Sequence, residues 1–363
     1  MRLPRDSCQV LMQQDERNLM QRATINDVAG LAGVSIKTVS RVVNREPNVR
    51  DATRAKVVRA IAELNYHPNL SARNLASQRA RLIALIYDDP ACYENASFGY
   101  VIRMQTGALS ACRTADYRLV IYPCDIRRTT VGAELKEMLE HARPQGVVLA
   151  APLSNMPHVV RAIISSGTPM VRLSPGTQGC KQYTVATNDR EISAEMTRYL
   201  ASLGHRKIAF IKGHPSHRAV ANRYFGYLDG LKQGGLEFAE RLVENGDNSF
   251  ASGETVGERL IKLEDPPTAI FAANDDMAAG VIRAAKLLGV DVPGQLSVAG
   301  CDDISLACQL CPTLTTIRQP LSSMAERAAL VLIDNAQEES PLQGAEIIPA
   351  TIEIRESTGP VPG

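Results

Sequence analysis

Hydrophobic and polar positions along most of the chain follow a strand-then-helix rhythm. Short apolar runs typical of buried parallel strands form two series, 82–87, 118–122, 146–150 and 169–173, then 207–211, 268–273 and 296–300. Between these runs lie segments whose apolar residues recur at helical spacing, at 101–113, 132–142, 190–203, 222–233, 253–263 and 277–288. Two consecutive series of this kind predict an α/β core of two doubly wound lobes.

The core is predicted to span 82–358 and to cross between its lobes more than once. The segments expected to return the chain between the lobes are 313–318, 320–335 and 346–355. Both lobes are therefore discontinuous in this prediction, the first at about 82–186 and 319–345, the second at about 187–318 and 346–358. In a doubly wound fold a ligand lies outside the carboxyl ends of the strands, which here means between the lobes.

Ahead of the core, residues 23–67 predict short helices instead of strands. Thr24 is a favourable N-cap for the first helix, and Gly33 supplies the positive φ that a tight turn requires. Ser35 caps a second helix, which has one apolar face and one polar face. A third helix is expected over 51–64. Short helices joined by a glycine turn are typical of an all-α helix-turn-helix headpiece that binds DNA.

Basic side chains are concentrated in the part of the chain that contains these helices. Residues 22–81 carry eleven basic and four acidic side chains, whereas residues 82–363 carry 26 basic and 32 acidic ones. A basic segment ahead of an acidic body is typical of a module that binds a polyanion and is attached to a globular domain. Residues 1–22 mix both signs with glutamine, and we expect them to be a disordered extension, with Met20 as an alternative start.

The sequence lacks the motifs of several other protein classes. No run of 18 apolar residues predicts a membrane span, and the first 21 residues have no apolar stretch like that of a secretory signal. There is no GxGxxG after a candidate strand, no phosphate-binding GxxxxGK, no HExxH and no GxSxG. Cys308 and Cys311 form a CxxC without a second pair at metal spacing. We therefore expect a cytoplasmic protein with reduced cysteines, no cofactor and no enzymatic activity.

The string TINDVAGLAGVSIKTVSRVVN, followed by ATRAKVVRAIAELNYHPN, resembles the headpiece of the LacI/GalR family of bacterial repressors. The resemblance implies that Ile36 and Lys37 read base edges in the major groove. Lys37 and Arg41 can donate to guanine or to phosphate, whereas Ile36 can make only apolar contacts. Arg50 departs from the family's usual cap of the third helix, so we expect Asp51 to cap it instead. The headpiece positions implied to contact DNA are Thr24, Ser35, Ile36, Lys37, Thr38, Ser40, Arg41, Asn44 and Tyr66.

Residues 68–81 form a short, polar and basic linker between headpiece and core. Alone, such a segment is marginal as a helix. In the family it becomes a hinge helix on DNA, two copies pair across a dimer, and a leucine wedges into the minor groove. The resemblance implies this role for Leu75, with neighbouring contacts at Asn69, Ala72 and Ala76. The alternative is a flexible linker in which the leucine has no such role.

Four further strings resemble the periplasmic-binding-protein-like core of the same family. They are LGHRKIAFIKG at 203–213, PTAIFAANDDMAAG at 267–280, VPGQLSVAGCDD at 292–303 and PTLTTIRQP at 312–320. The resemblance implies that Arg223 and Asp302 contact an effector. Together they could hold adjacent hydroxyls of a sugar through charge-assisted hydrogen bonds.

The full set of expected effector-binding residues combines this resemblance with side chains that follow predicted strands. It consists of Asp88, Asp89, Arg223, Phe250, Asn274, Asp275 and Asp302. Two departures from the family bear on the ligand: Asn248 stands where relatives often have an aromatic ring, and Cys301 replaces the usual aromatic before the aspartate. For Asp88, Asp89 and Asp275, capping of the next helix is the alternative role.

The sequence thus predicts a transcription regulator, a repressor, that binds pseudo-palindromic double-stranded operator DNA. A small-molecule effector, expected to be a sugar, would change its DNA affinity. No heptads follow Glu356, so a homodimer is the expected assembly. Two alternatives remain open at this point, a solute-binding protein of transport and an architectural DNA-binding protein with a vestigial pocket.

Overall fold

The computed structural model describes residues 23–43, 49–66, 81–92, 98–176, 181–336 and 342–361. The chain divides into two compact units, Met1–Arg79 and Ala80–Gly363. In the described part of the chain, no helix is both long and apolar enough to cross a membrane.

The described headpiece consists of three helices, α1 (Ile25–Ala32), α2 (Ile36–Val43) and α3 (Asp51–Glu63). Thr24 is the N-cap of α1, as predicted, because its hydroxyl accepts from the amide of Asp27 at 3.4 Å while the Asp27 carboxylate accepts from the Thr24 amide at 2.7 Å. Gly33 ends α1 with a φ of 63°, which confirms the glycine turn. The apolar faces of the helices meet at a core of buried side chains, Val28, Ala29, Val39, Val42, Val57, Ala60 and Tyr66.

The start of the third helix differs from the prediction. Asp51 is the first helical residue, so it does not cap α3. The N-cap is Arg50, whose side chain makes no capping hydrogen bond. Asp51 instead places a carboxylate in the first turn, where the helix dipole favours negative charge.

The first lobe is built around a sheet of six parallel strands in the order β11-β5-β4-β3-β1-β2. Its elements in chain order are β1 (Leu82–Asp88), α4 (Gly99–Thr114), β2 (Arg118–Cys124), α5 (Val131–Ala142), β3 (Gly146–Leu149), α6 (Pro157–Ser165), β4 (Met170–Leu173), β5 (Tyr183–Ala186), α12 (Leu321–Asp334) and β11 (Ala345–Ile347). Helices α4 and α12 pack so closely that a Cβ on Gly107 would lie 1.9 Å from the carbonyl oxygen of Ser322.

The second lobe contains a sheet in the order β12-β10-β9-β8-β6-β7, in which β12 is antiparallel to β10 and the other described pairs are parallel. Its elements are α7 (Asp189–Ser202), β6 (Ile208–Lys212), α8 (Arg218–Gln233), β7 (Val243–Asn245), α9 (Phe250–Ile261), β8 (Ala269–Ala272), α10 (Asp275–Leu287), β9 (Ser297–Cys301), α11 (Ser305–Gln309), β10 (Thr315–Arg318) and β12 (Thr351–Glu353). Short 3-10 turns lie at Pro90–Cys92, Leu153–Asn155 and Glu240–Leu242.

The chain crosses between the lobes after β5, after β10 and after β11. All seven predicted strands are present within two residues of their expected bounds. The boundary at 345–346 requires a correction, because Ala345–Ile347 pairs with β5 in the first sheet and the last crossing comes after it. The Asn188 side chain accepts from the amide of Ala350 at 2.9 Å, so the first and last crossings are joined directly.

Candidate DNA-binding face and ligand cavity

Helix α2 presents the face that sequence analysis assigned to DNA. Val39 and Val42 are buried in the headpiece core, whereas Ile36 is 49% exposed. Lys37, the next residue along the helix, is also exposed, and no acidic residue lies in the first turn of the helix. A half-exposed isoleucine beside a lysine gives this surface an apolar and a cationic contact point, and both kinds of contact occur in readout of major-groove base edges.

The remaining predicted DNA contacts occupy different environments in the headpiece. Ser35 immediately precedes α2 and its hydroxyl accepts from the amide of Thr38 at 3.2 Å, and the two hydroxyls share a hydrogen bond of 2.9 Å. Thr24 is exposed, and its hydroxyl donates to Asp27, which lowers the pKa of that carboxyl. Tyr66 is 8% exposed and its ring packs in the headpiece core, and its contact with the DNA backbone stays a prediction.

Ser40 and Arg41 are partly exposed on α2. The other predicted DNA contacts lie outside the described residues and are Asn44, Asn69, Ala72, Leu75 and Ala76. Of the predicted linker 68–81, only Arg81 is described. The DNA-binding roles of the predicted contact residues outside the described part of the chain remain predictions.

The core unit contains a cavity of 640 Å³ between its lobes, at the carboxyl ends of strands from both sheets. From the first lobe, Asp88 is the last residue of β1 and Ser174 lies directly after β4. From the second lobe, Asn274 follows β8 and Asp302 follows β9. Because carboxyl ends of parallel strands gather at one edge of a sheet, this is where a doubly wound fold binds ligands.

A buried charged cluster forms the floor of the cavity on the second lobe. Arg223, which is 6% exposed, donates through Nε to Asp189 at 2.9 Å, and its Nη1 lies 3.5 Å from the Asp302 carboxylate. Gln319 from a crossing segment also donates to Asp302. Burial raises the pKa of Asp302 to about 6, although the nearby Arg223 opposes the rise. The cluster therefore presents a carboxylate at neutral pH whose counter-charge is already in place.

Neutral polar and aromatic groups surround this cluster. Tyr100 enters from α4, and burial raises the pKa of its hydroxyl, which keeps the hydroxyl protonated. Burial, together with the charge of Arg223, lowers the pKa of His217 to about 4, so the imidazole is neutral. Phe250 lines the cavity at the start of α9. Asn248, in place of the family's aromatic, adopts a φ of 74° and accepts from the amide of His214 at 3.3 Å.

Two predicted effector residues are not on the cavity wall. Asp275 is completely buried, accepts from the amide of Ile304 at 2.9 Å and from the Thr316 hydroxyl, and has its pKa raised to about 8 by burial. It therefore joins α10 to the loop after β9, and the cavity is lined by its neighbour Asp276. Asp89 accepts from the amide of Ala91 at 3.0 Å and orders a turn, which is the capping role left open above.

Other predicted residues combine a cavity position with a structural role. Asn274 lines the cavity and also caps α10 by accepting from the amide of Met277 at 3.0 Å. Asp88 lines it and accepts from the amide of Ile126 at 3.3 Å. Cavity residues that the sequence analysis missed include Tyr100, His214, His217, Asp276 and Gln319. Of these, only Asp276 carried a usable signal, because it is a polar residue in the same turn after a predicted strand as Asn274 and Asp275.

In the described part of the chain, no group of three or more His, Cys, Asp or Glu side chains could hold a metal ion. Cys308 lies in α11 and Cys311 lies just after it, and both are exposed free thiols.

Comparison with known proteins places both units in one family. Residues 24–69 match the family described as bacterial regulatory proteins, lacI family, and residues 197–358 match a periplasmic binding protein-like domain. The HTH-type transcriptional regulator GalR of Escherichia coli K12 is 33% identical over 317 residues, which are 86% of this chain and 90% of that protein. The probable HTH-type transcriptional repressor ExuR of Bacillus subtilis 168 is 31% identical over 313 residues, 85% of this chain and 90% of that protein.

Solved structures give the same result. The lac repressor dimer bound to operator and the anti-inducer ONPF aligns with a TM-score of 0.80 at 26% identity, covering 93% of this chain and 100% of that one. The complex of the transcriptional regulator CelR with cellobiose aligns with a TM-score of 0.71 at 29% identity, with the same coverage. With its helix-turn-helix headpiece and two-lobed core, the chain belongs to the LacI family of bacterial transcription regulators.

Proposed function

We propose that this regulator is a cytoplasmic repressor that binds pseudo-palindromic operator DNA as a homodimer and responds to a small polyhydroxylated ligand, a sugar, in the cavity between its lobes. The observation that carries the ligand proposal is the contact of Arg223 with Asp302 on the cavity floor. A carboxylate accepts hydrogen bonds from two adjacent hydroxyls while a guanidinium donates to their oxygens, and charge assistance strengthens these bonds.

Size and polarity of the cavity support a sugar-sized ligand. Its volume of 640 Å³ lies within the range of roughly 300–1,000 Å³ typical of small-molecule sites. Phe250 and Tyr100 supply apolar surface, and Asn274, His217 and Gln319 supply neutral polar groups. One relative was solved in complex with cellobiose, which is consistent with a carbohydrate in this chain's cavity.

The DNA-binding part of the proposal rests on α2. Lys37 and Ile36 would read bases, Arg41 would contact bases and phosphates, and Ser35, Thr38, Ser40 and Thr24 would contact the backbone or orient the helix. The lac repressor relative was solved as a dimer bound to operator. By analogy with it, two headpieces of this chain would contact two half-sites, and Leu75 of each linker would enter the minor groove.

A ligand in the cavity would act on DNA binding through the relative position of the lobes. It would touch Asp88 on one lobe and Asp302 on the other, so it would bind unequally to arrangements that differ in the lobe angle. The resulting coupling between ligand and operator is limited to the difference in affinity, typically about 1–3 kcal/mol.

The test is a screen of neutral mono- and disaccharides by thermal unfolding of the full chain, followed by calorimetry of the best ligand. Asp302→Asn keeps the side-chain volume but removes the charge, and should weaken binding about ten- to a hundredfold, since a charged hydrogen bond contributes about 1.5–3 kcal/mol. Asp89→Asn is the matched control, because Asp89, like Asp302, directly follows a strand, here β1, yet lies off the cavity wall.

Equal ligand affinity of the wild type and Asp302→Asn would place the ligand elsewhere. Absence of any saccharide binding, together with operator affinity that no cavity variant alters, would instead favour the architectural DNA-binding alternative.

A further inference from the structure

A second cavity, of 340 Å³, lies where the chain crosses between the lobes of the core. Arg103 of α4 contributes the wall on the first lobe. Arg318 is the last residue of β10 in the second lobe, and Gln319 lies in the crossing that follows it. Pro349 lies in the crossing after β11, and Thr351 is the first residue of β12. Gln319 is the residue that this cavity shares with the larger one. A molecule bound here would thus touch both lobes and two of their connections.

The charge on this cavity is positive. None of the described residues that line it is acidic, and two are arginines, whose guanidinium groups are cationic. The nearest counter-charge is Asp303, a buried carboxylate that accepts from Arg318 at 2.7 Å and from Arg355 at 2.6 Å, and lies 4.0 Å from Arg103. Glu353 pairs with Arg318 at 3.0 Å. Three guanidinium groups therefore share two carboxylates.

Several strong donors on the two arginines of this cavity have no acceptor among the described residues. Nε and Nη1 of Arg103 and Nη2 of Arg318 meet no acceptor in the described part of the core. The two side chains are 35% and 47% exposed, so small solutes can reach them. Helix α12 begins at the same wall, and its N-cap Pro320 supplies no capping side chain for the first-turn amides of Ser322 and Ser323.

We propose that this cavity binds a small oxyanion, specifically a phosphate group, held between Arg103 and Arg318. Guanidinium groups match the geometry of phosphate oxygens with paired N–H donors, and an additional anion would neutralise the excess positive charge. The phosphate group is either inorganic phosphate or part of a phosphorylated metabolite. Because Arg103 and Arg318 lie on different lobes, the bound anion cross-links the lobes and stabilises one lobe angle over others.

Gln319 links this site to the larger cavity. Its side chain lies on both walls and donates to Asp302. A phosphate in this site would therefore change the orientation of Gln319 and, through it, of Asp302, which would contact the effector. Each of the two ligands would then change the affinity of the protein for the other by the same factor. The phosphate site itself does not depend on the sugar proposal, since its donors are outside the larger cavity apart from Gln319.

The experiment titrates full-length protein with inorganic phosphate and, separately, with glycerol 3-phosphate, in a phosphate-free buffer without DNA. Sodium chloride at matched ionic strength controls for screening. We expect saturable binding by calorimetry and a rise in the unfolding temperature. Arg318→Gln and Arg103→Gln should weaken binding at least tenfold. Arg113→Gln is the matched control, because it removes an exposed charge from the same helix about 15 Å further along.

Ser323→Asp keeps the proposal testable if Arg318→Gln fails to fold, because it removes no existing ion pair. The aspartate would place a carboxylate at the exposed start of α12, where the helix dipole favours it, and should abolish phosphate binding. Tighter binding of the ester supports a phosphorylated metabolite, and equal or tighter binding of the free ion supports inorganic phosphate. A response that sodium chloride reproduces overturns the proposal and indicates screening. Phosphate binding that survives in Arg103→Gln and Ser323→Asp also overturns it and indicates a site elsewhere, such as the basic headpiece.

Discussion

Replacing Arg223 by methionine should destabilise the core in a strongly pH-dependent way. Arg223 lies 2.9 Å from Asp189 and 3.5 Å from Asp302, and all three side chains are buried. At an effective dielectric constant of about 20, each attraction amounts to roughly 5 kcal/mol. Burying the guanidinium opposes this by several kcal/mol, so the expected net loss at pH 8 is about 3–5 kcal/mol. Methionine retains the long unbranched stem, which limits the loss of packing.

The sign of the pH dependence follows from the two carboxylates that would remain. Burial already raises the pKa of Asp302 to about 6 and raises that of Asp189, and in both cases Arg223 opposes the rise. Without Arg223 the folded-state pKa values rise further above the unfolded value of about 3.9. Stability from such groups is fully present below the unfolded pKa and is lost as pH rises through the folded pKa. The cost of Arg223→Met should therefore shrink to roughly 1–2 kcal/mol at pH 5.

Urea unfolding followed by far-ultraviolet circular dichroism at pH 5 and pH 8 measures this difference, since the chain has no tryptophan for fluorescence. Arg198→Met on α7 is the control, because Arg198 is exposed and should change stability by less than about 0.5 kcal/mol. Adding Asp302→Asn to Arg223→Met should recover part of the loss at pH 8. An equal loss at both pH values would mean that Arg223 contributes packing rather than charge, and the reasoning would fail.

Three further predictions concern the headpiece, the linker and the first lobe. Lys37→Ala should relax base preference at one operator position, at a cost of about 1–3 kcal/mol in binding free energy, whereas Arg41→Ala should weaken the affinity for all operator sequences more evenly. Selection from a randomised operator library measures this preference. An unchanged base preference in Lys37→Ala would mean that Lys37 reads no base. Leu75→Gly should lower the affinity for specific operator DNA but leave the non-specific DNA affinity nearly unchanged. The amides of residues 70–77 should be protected from hydrogen exchange only in the operator complex. Protection of these amides without DNA would show that the linker does not fold on DNA. Gly107→Ala should destabilise the first lobe by about 1–3 kcal/mol, because the added Cβ meets the Ser322 carbonyl. Gly132→Ala should be tolerated, because the atom nearest to its added Cβ lies 3.7 Å away. Similar unfolding midpoints of the two variants would contradict this prediction.

Sequence patterns located the large cavity because strand ends are readable from apolar runs. Asp88, Asn274 and Asp302 each follow or end a buried run, and parallel topology brings all three to one cleft. The same reasoning failed for Asp275 and Asp89, because adjacent residues at a strand end point in different directions. Asp275 turns into the protein toward Thr316 and Ile304, and Asp276 takes the cavity position.

Residues that reach the cavity from distant parts of the chain could not be predicted from local patterns. Tyr100 enters from the helix after β1, and Gln319 enters from a crossing segment more than 200 residues later. Their approach depends on how the two lobes pack, which no local period encodes. The strands Tyr183–Ala186 and Val243–Asn245 were missed for a related reason, since they are short and only partly buried and so lack an apolar run.

The backbone of the cavity gives independent support to its functional character. Ser174, Asn248 and Asp302 have φ values of 44°, 74° and 119°, in the region that favours glycine, and all three line the cavity. Such conformations cost roughly 1–3 kcal/mol each and persist only where the surrounding structure enforces them. Glycine would adopt each conformation without that cost, yet it would place no side chain on the wall. The fold thus tolerates local strain at the positions where a carboxylate, an amide and a hydroxyl line the cavity, and this favours a selected binding site over a vestigial cleft.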